Sequence, residues 1–120
     1  MAQTAWVSIL EQLNEGLAEV EASALVSQDG LALAMAARQP VDEDRIGALT
    51  AAVLSAGGRA ANELRHGPVE QIIIKGRGGH ILVVGSEKPA FLAVSAKPAA
   101  EIDAILPRAQ RAMDNLCQLL

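Results

Sequence analysis

Apolar residues in the first 20 positions recur at steps of three and four, and glutamates occupy positions between them. This spacing places the apolar side chains on one face of a helix, so it predicts an amphipathic helix over about residues 4–20. Thr4 is a suitable N-cap, because its hydroxyl can accept a hydrogen bond from a free amide of the first turn. The apolar face of this helix comprises Trp6, Ile9, Leu10, Leu13, Leu17 and Val20.

The pattern then changes to a period of two, which is typical of strands. Residues 24–27 and 31–37 are predicted to form two strands joined at Asp29-Gly30, a pair that tolerates positive φ and closes a tight type I′ hairpin. The second strand has a large face and a small face, and we expect the small face to let a helix lie close. The large face comprises Leu31, Leu33 and Met35, and the small face comprises Ala32, Ala34 and Ala36.

A second amphipathic helix is predicted over about residues 42–65, and both of its ends are marked. Asp42 can cap the first turn, Gly67 suits the left-handed position past the last turn, and Pro68 prevents the helix from continuing. The helix carries two apolar stripes. The larger one comprises Ile46, Leu49, Val53, Ala56, Ala60 and Leu64, and the smaller one comprises Gly47, Ala51, Leu54, Gly58 and Ala61.

The small stripe needs an explanation, because Gly57 and Gly58 each destabilise a helix interior by about 1 kcal/mol relative to alanine. One interpretation is that small residues let another backbone approach closely, most simply the same helix of a second subunit. The other is that they fit the helix onto a sheet or tolerate a bend. Because two apolar stripes bury a helix on two sides, we expect the subunit contact.

Three further β-rich segments, 69–75, 80–84 and 90–96, predict a meander of antiparallel strands. We interpret the intervening "GRGG" as a hairpin turn and not as a phosphate cradle, because a strand and not a helix follows it. Residues 102–120 are predicted to form a last helix. The order α-β-β-α-β-β-β-α indicates an α/β (α+β) fold in which a single five-stranded antiparallel sheet carries helices on both faces.

Length and composition limit the class of protein. A chain of 120 residues that is 51% hydrophobic is expected to form one domain over residues 1–120. With one Phe, one Trp and no Tyr, its core must rely on aliphatic side chains and alanines, so burial against a partner subunit would help to stabilise it. A net charge of −4 and scattered basic residues argue against a nucleic-acid partner.

No secretion signal or apolar run of the ~20 residues that a membrane helix needs is present. We therefore expect a cytoplasmic protein with no membrane insertion. No spacing of residues indicates catalysis or metal binding: Asp29 is interpreted as a turn residue, His66 and His80 as structural, and Cys117 as a small core residue. We expect no enzyme, no catalytic residue, no cofactor and no metal site.

Several local motifs occur in this order of elements: "DGLALA" at 29–34, "ALTAAVLSAGGRAANEL" at 48–64, "VEQIIIKGRGGHILVVG" at 69–85 and "AFLAVSA" at 90–96. Together they resemble the Roadblock family of dynein light chains and bacterial MglB-like proteins, over nearly the whole chain. These motifs are patterns of size and polarity, which identify a fold better than an activity.

The resemblance implies a homodimer, or a heterodimer with a paralogue, in which the third strands pair edge to edge and the second helices pack together. The paired edge would be residues 69–75, where three consecutive isoleucines would be hazardous if left exposed. The small stripe falls on the helix that the family uses for its dimer. The expected interface comprises Gly47, Ala51, Leu54, Gly58, Ala61, Ile72, Ile73 and Ile74.

The resemblance also implies a function. The chain would be a non-enzymatic regulator or scaffold of a small Ras-like GTPase, and its dimer would bind the switch region and act allosterically. The alternative is a structural adaptor of dynein-light-chain type, which tethers larger proteins without changing nucleotide turnover. The GTPase-facing residues are not assigned, and Arg45, Arg59 and Arg65 are noted only because they lie on the second helix.

Overall fold

The structure is a computed structural model that describes residues 2–120. Within these residues the elements follow the predicted order: α1 (Ala2–Gly16), β1 (Val20–Ser27), β2 (Ala32–Ala37), α2 (Glu43–Glu63), β3 (Gln71–Lys75), β4 (His80–Val84), β5 (Ala90–Ala96) and α3 (Ile102–Cys117). The bounds of β4 and β5 are those predicted. Thr4 lies inside α1, so its prediction as an N-cap is wrong.

All five strands form one antiparallel sheet in the order β2-β1-β5-β4-β3. β1 and β2 form one hairpin, while β3, β4 and β5 form the predicted meander. The pairing of β1 with β5 joins these two groups at the centre of the sheet. The predicted five-stranded antiparallel sheet with helices on both faces is confirmed, and β2 and β3 are its outer strands.

The main hydrophobic core lies between the sheet and the layer formed by α1 and α3. Trp6 packs at the margin of this core. Fully burying one large aliphatic side chain contributes about 1.5–3 kcal/mol, so this layer supplies most of the hydrophobic stabilisation. The largest fully buried side chains include Leu10, Leu25, Leu82, Leu92, Ile105, Met113 and Leu116.

A buried polar junction fixes α1 to the first two strands. The side-chain amide of Asn14 donates to the carbonyl oxygen of Ala36 over 2.9 Å, and the Ser23 hydroxyl donates to Asn14 Oδ1 over 2.7 Å. Buried polar groups are tolerated where they find such partners. The junction therefore fixes the position of α1 along the sheet as well as its distance from it.

α1 ends at Gly16 and not near residue 20, which corrects the predicted bounds. Val20 continues the helical spacing but is the first residue of β1, where it pairs with Ala96 of β5. The last carbonyls of a helix have no partner within the helix. Here the guanidinium of Arg38, which follows β2, donates to the carbonyl oxygens of Asn14, Leu17 and Val20 and holds the turn between α1 and β1.

The turn between β1 and β2 is not the predicted type I′ turn. That turn requires positive φ at both central residues, whereas here Gly30 has a φ of 90° and Asp29 has no positive φ. The amide of Ser27 donates to Leu31 O over 2.8 Å, and the amide of Gly30 donates to Ser27 O over 3.0 Å. The loop therefore contains three residues, and glycine takes its left-handed position.

The alternation predicted for β2 holds only in part. The register between β1 and β2 shifts once, because β2 carries an extra residue at Leu33. Leu33 consequently packs against the α1/α3 core together with Ala34 and Ala36. Leu31 precedes the strand and is exposed, so the predicted face of Leu31, Leu33 and Met35 is wrong.

Candidate functional site

α2 lies on the face of the sheet opposite to α1 and α3, where it packs mainly on β1 and β2. Its start is capped as predicted: the Asp42 carboxylate accepts hydrogen bonds from the amides of Asp44 and Arg45, over 3.0 and 3.3 Å. Glu43 and Asp44 add negative charge near the positive end of the helix dipole. The N-terminal end of α2 is therefore firmly placed.

The C-terminal end of α2 has less support. Leu64 is the C-cap, and its amide donates to Ala60 O over 3.1 Å. Arg65 has a φ of 59° and Gly67 one of 82°, so Arg65 and not Gly67 takes the left-handed position directly after the cap. The Leu64 side chain is 66% exposed. This end of the helix thus presents apolar surface that its own chain leaves uncovered.

The small stripe of α2 begins against its own sheet. Gly47 is buried, and a β-carbon added there would overlap the carbonyl oxygen of Gly30. One turn later, the methyl group of Ala51 lies 3.2 Å from the position that a β-carbon on Gly30 would take. Glycine at position 47 is therefore explained by a contact within the chain, which leaves almost no surface there for a second subunit.

The two adjacent glycines of α2 have different surroundings. A β-carbon on Gly57 would lie 2.9 Å from Cδ1 of Ile72 in β3, whereas one on Gly58 would have no atom within 4 Å. Glycine in a helix interior is less favourable than alanine by about 1 kcal/mol. A β-carbon on Gly57 would have to displace the flexible end of the Ile72 side chain, whereas no contact within the described chain accounts for Gly58.

β3 is an open edge of the sheet, because it pairs with β4 only. Its sequence is QIIIK, and its register with β4 is unbroken from Gln71 to Lys75. Ile72 faces α2, so Ile74 shares that face and Ile73 lies on the other. Ile73 and Ile74 are 38% and 39% exposed. A regular, apolar edge of this kind is a template for another strand.

The predicted interface residues therefore fall into two groups. Gly47 and Ala51 face their own hairpin, and Ile72 lies beneath Gly57. The second group is half-buried or exposed and comprises Leu54, Gly58, Ala61, Ile73 and Ile74. For all eight residues, contact with a second subunit stays a prediction.

A groove of about 730 Å³ separates the N-terminal half of α2 from the sheet. Its floor is formed by β1, β5 and β4, and the loop between β2 and α2 closes one end. Three floor residues are alanines, Ala22, Ala24 and Ala93, whose small side chains leave the space open. The larger apolar residues around it are Val41, Ile46, Leu49, Val53, Ile81 and Val83.

Sequence reasoning missed this groove, although one signal for it was present. The sequence pattern places Leu49 and Val53 on the larger apolar stripe of α2 and predicts that this stripe is buried. In the structure the small stripe approaches the sheet and Leu49 is 57% exposed. The second stripe was thus the sign of an apolar surface left beside the helix.

The rim of the groove carries three basic side chains, Arg38, Arg45 and Lys97, and two acidic ones, Glu21 and Asp42. Arg38 and Asp42 are already engaged with backbone groups. Neither Arg45 nor Lys97 forms an ion pair with any residue in the range 2–120. The charges that are free to meet a partner are therefore mainly positive, although the whole chain has a net charge of −4.

The other two arginines noted on the second helix lie elsewhere. Arg59 forms an ion pair with Glu63 over 3.5 Å, and both side chains are largely exposed. Such a pair on a helix surface contributes only about 0.3–0.5 kcal/mol. Arg65 follows the helix and is exposed. The structure therefore does not bring Arg45, Arg59 and Arg65 together.

The residues considered for chemistry are also dispersed. Asp29 is exposed in a turn, and His66 is exposed in the loop after α2. Cys117 ends α3, and His80 is buried with its Nε2 atom 3.1 Å from the carbonyl oxygen of Pro98. Among residues 2–120, no group of three or more His, Cys, Asp or Glu side chains is arranged to hold a metal ion. The helices of the same range include none with the length and apolar character needed to cross a membrane.

Relatives of known sequence leave the function open. Two uncharacterized proteins of Methanocaldococcus jannaschii, MJ0310 and MJ1340, are each 35% identical to this chain over 65 residues. The aligned stretch covers 54% of this chain and 57% of each relative. The chain thus spans little more than half the length of these curated relatives.

Solved structures match over nearly the full chain. MglB of Myxococcus xanthus has a TM-score of 0.88 and 18% identity, with 97% of this chain and 87% of that chain covered. An MglB in a tetrameric arrangement has a TM-score of 0.90 and 18% identity, with 98% of this chain and 89% of that chain covered. At these identities the likeness establishes the fold.

The family model for the Roadblock/LC7 domain matches residues 7–96, which include most of α1, the whole sheet and α2. This match confirms the resemblance read from the sequence motifs. The chain belongs to the Roadblock/LC7 domain family.

Proposed function

We propose that the chain forms a two-fold dimer through β3 and α2, and that this dimer is a non-enzymatic regulator or scaffold of a small Ras-like GTPase. Family membership and the fold shared with MglB support a regulatory or adaptor role. One observation carries the proposal: an open, isoleucine-rich edge at β3 lies next to a glycine on α2 that no contact within residues 2–120 explains.

Pairing β3 with its copy would satisfy the outer backbone groups of this strand and cover Ile73 and Ile74. A two-fold axis makes this contact self-complementary, because the same patch serves both subunits. No charged residue lies between Gln71 and Lys75 to oppose the approach of the second strand. The dimer would therefore extend the sheet across both subunits and remove the exposed edge.

The helices add a second layer to this proposed contact. α2 reaches β3 at Gly57, and the helix continues beyond this point through Gly58 to the exposed Leu64. A two-fold axis beside β3 would bring this part of α2 alongside its copy. The space at Gly58 would let the two helix backbones approach closely, and apolar side chains such as Leu64 would be covered in the same contact.

The dimer would act on the GTPase by binding and not by chemistry. A regulator can shift a switch between two states only if it binds one state more tightly than the other. The proposed dimer therefore needs different affinities for the GDP-bound and GTP-bound partner. A heterodimer with a paralogue would satisfy the same geometry if the paralogue offers an equivalent β3 edge.

Sedimentation velocity at micromolar concentration tests the assembly. We expect a dimer at these concentrations, with dissociation on dilution. A monomer throughout the micromolar range would overturn the proposed homodimer. Sedimentation of a mixture with a paralogue would then test the heterodimer.

Titration calorimetry tests the function, with a Ras-like GTPase from a neighbouring reading frame loaded with GDP or with a non-hydrolysable GTP analogue. We expect at least about a tenfold difference in affinity, or about 1.4 kcal/mol. Equal affinities with unchanged nucleotide exchange and turnover would favour a purely structural adaptor. Absence of binding to both forms would overturn the GTPase partnership and leave the dimer to be judged by sedimentation.

A further inference from the structure

His80 is the one ionisable side chain among residues 2–120 that is buried, and one of its two ring nitrogens has no partner. It is the first residue of β4 and is 7% exposed. Its Nε2 atom lies 3.1 Å from the carbonyl oxygen of Pro98, whereas Nδ1 is buried and forms no hydrogen bond within residues 2–120. Buried polar atoms without a partner are rare in folded proteins, so this one calls for an explanation.

The contact with Pro98 determines which ring nitrogen carries the hydrogen. A carbonyl oxygen can only accept, so the Nε2 atom of His80 is the donor, and Nδ1 of the neutral ring is an acceptor. A proton added to Nδ1 would create a second N–H donor and a positive charge in a buried place that offers no acceptor among residues 2–120. Such a charge is costly to bury when no group hydrogen-bonds to it.

The neighbouring strands supply no negative charge to offset that proton. His80 lies on the same face of β4 as Leu82 and Val84, which pack in the core beneath α1 and α3. On β3, Lys75 pairs directly with His80, so the two side chains share one face of the sheet. On β5, Ala96 is the paired residue, and this strand contains no ionisable side chain. The one charged residue paired with His80 is therefore another cation.

The segments next to these strands carry charges of both signs, and all of them are exposed. Arg77 lies in the turn before β4, and Lys97 lines the groove on the other face of the sheet. Glu101 and Asp103 lie at the start of α3, which packs on β4 and β5. His80 forms no ion pair with either carboxylate, nor with any other among residues 2–120. A proton on Nδ1 would therefore be unpaired as well as buried.

We propose that His80 is an acid-sensitive switch, which holds residues 97–101 against β4 only while its ring is neutral. These residues join β5 to α3, and Pro98 is the point at which His80 holds them. A protonated ring would regain solvent by turning out of its site, which breaks the hydrogen bond to Pro98 and frees the segment that leads into α3. Histidine changes its charge between about pH 5 and 8, so the switch would act near neutral pH. It lies within one subunit and requires neither the dimer nor the GTPase.

Urea unfolding at a series of pH values, at one fixed protein concentration, tests the switch. The unfolded chain binds a proton at this imidazole below about pH 6.5, whereas the closed native site excludes it. Stability is therefore fully present above that pH and is lost below it. Until the switch opens, the unfolding equilibrium constant should rise by up to about tenfold for each pH unit.

Two variants assign this pH dependence to one side chain. His80→Gln is the test variant, because its amide can still donate to Pro98 but takes up no proton near neutral pH. His66→Gln is the matched control, since His66 is exposed and is the only other histidine of the chain. We expect wild type and His66→Gln to lose stability in parallel toward pH 5, and His80→Gln to lose most of this dependence. Equal slopes in wild type and His80→Gln would overturn the proposal.

An NMR titration of wild type tests the movement itself and needs no variant, so it decides the matter if His80→Gln does not fold. As the His80 ring takes up its proton, the amide resonances of residues 97–101 and of the first turn of α3 should shift or broaden with the same midpoint. The amides of the β1–β2 hairpin should keep their positions. Protonation of the His80 ring without any change at residues 97–101 would show that no segment is released, and it would overturn the switch.

Discussion

The two outer strands of the sheet have opposite constructions. β2 contains an extra residue at Leu33, consists mostly of alanine, and lies beside a hairpin against which Gly47 of α2 packs tightly. β3 has an unbroken register, three adjacent isoleucines, and only the crossing of α2 at Gly57 above it. One outer edge is therefore irregular and poor in large apolar side chains, and the other is regular and rich in them.

This difference shows how a small domain can direct its own assembly. Bulges and short strands discourage the edge-to-edge pairing of sheets, whereas a regular apolar edge invites it. If both edges resembled β3, the sheet could grow at both sides and form open-ended fibres. With one irregular edge and one regular edge, the proposed pairing would stop at a dimer.

Substituting Gly47 with alanine tests the packing of α2 on the β1–β2 hairpin and has the largest expected effect. The added methyl group would overlap the carbonyl oxygen of Gly30, and relief requires movement of the helix or the hairpin. We expect the free energy of unfolding to fall by about 3 kcal/mol, at the upper end of overpacking effects. Urea unfolding followed by circular dichroism at one fixed protein concentration measures it. An unchanged midpoint would mean that α2 is not held at this point.

Substituting Ile73 with lysine tests the open side. A two-fold axis would bring the two added charges close together in the stretch Gln71–Ile74, which now lacks charge. We expect the dissociation constant of the dimer to rise about 100-fold, or about 2.7 kcal/mol, as measured by sedimentation. Ala37→Lys, at the end of the β2 edge, is the matched control and should leave the dimer intact. The reverse result would exchange the roles of the two edges.

Substituting Gly58 with leucine tests the helix layer of the open side. A β-carbon at position 58 would meet no atom of the same chain within 4 Å among residues 2–120, so we expect helix content to be unchanged. A partner helix at this position would be displaced, and we expect the dimer to be weakened by about 2 kcal/mol. Ala52→Leu, on the exposed side of α2, is the control. Equal dimer strength in both variants would place the helix contact elsewhere.

Replacing Gly58 with alanine has the smallest expected effect. It tests whether a partner helix lies against this residue. In the monomer, alanine should stabilise α2 by about 1 kcal/mol through helix propensity alone. In the dimer, the methyl group would occupy part of the space between the helices, so the gain should shrink or reverse. Unfolding measured at nanomolar and at high micromolar concentration separates the two states. A gain of equal size at both concentrations would contradict a helix contact at Gly58.

Strands whose ends are marked by glycine or proline were the most predictable elements. β4 lies between Gly79 and Gly85, and β5 lies between Pro89 and Pro98, so their runs of apolar residues have defined ends. The end of α1 was less predictable because Val20 satisfies both patterns. It continues the helical stripe, yet it pairs with β5 in the sheet. Only the tertiary structure decides between these two roles.

The candidate site was harder to predict because its geometry depends on residues that are distant in sequence. The two stripes of α2 were visible, but the carbonyl of Gly30 determines which stripe faces the sheet, and it acts through Gly47. The alanines of β1 and β5 permit a close helix without requiring one. The groove exists because α2 is held at its N-terminal end and passes over these alanines at a distance. No local pattern in the sequence encodes this arrangement.

The position of Trp6 has a practical consequence for spectroscopy. It is the single tryptophan of a chain that has no tyrosine, and it packs on the α1/α3 side of the sheet. Intrinsic fluorescence therefore reports on that layer and is remote from events at α2. A binding partner that contains tryptophan will dominate the emission of the complex, and a dimer formed through α2 and β3 should assemble with almost no change in the signal from Trp6.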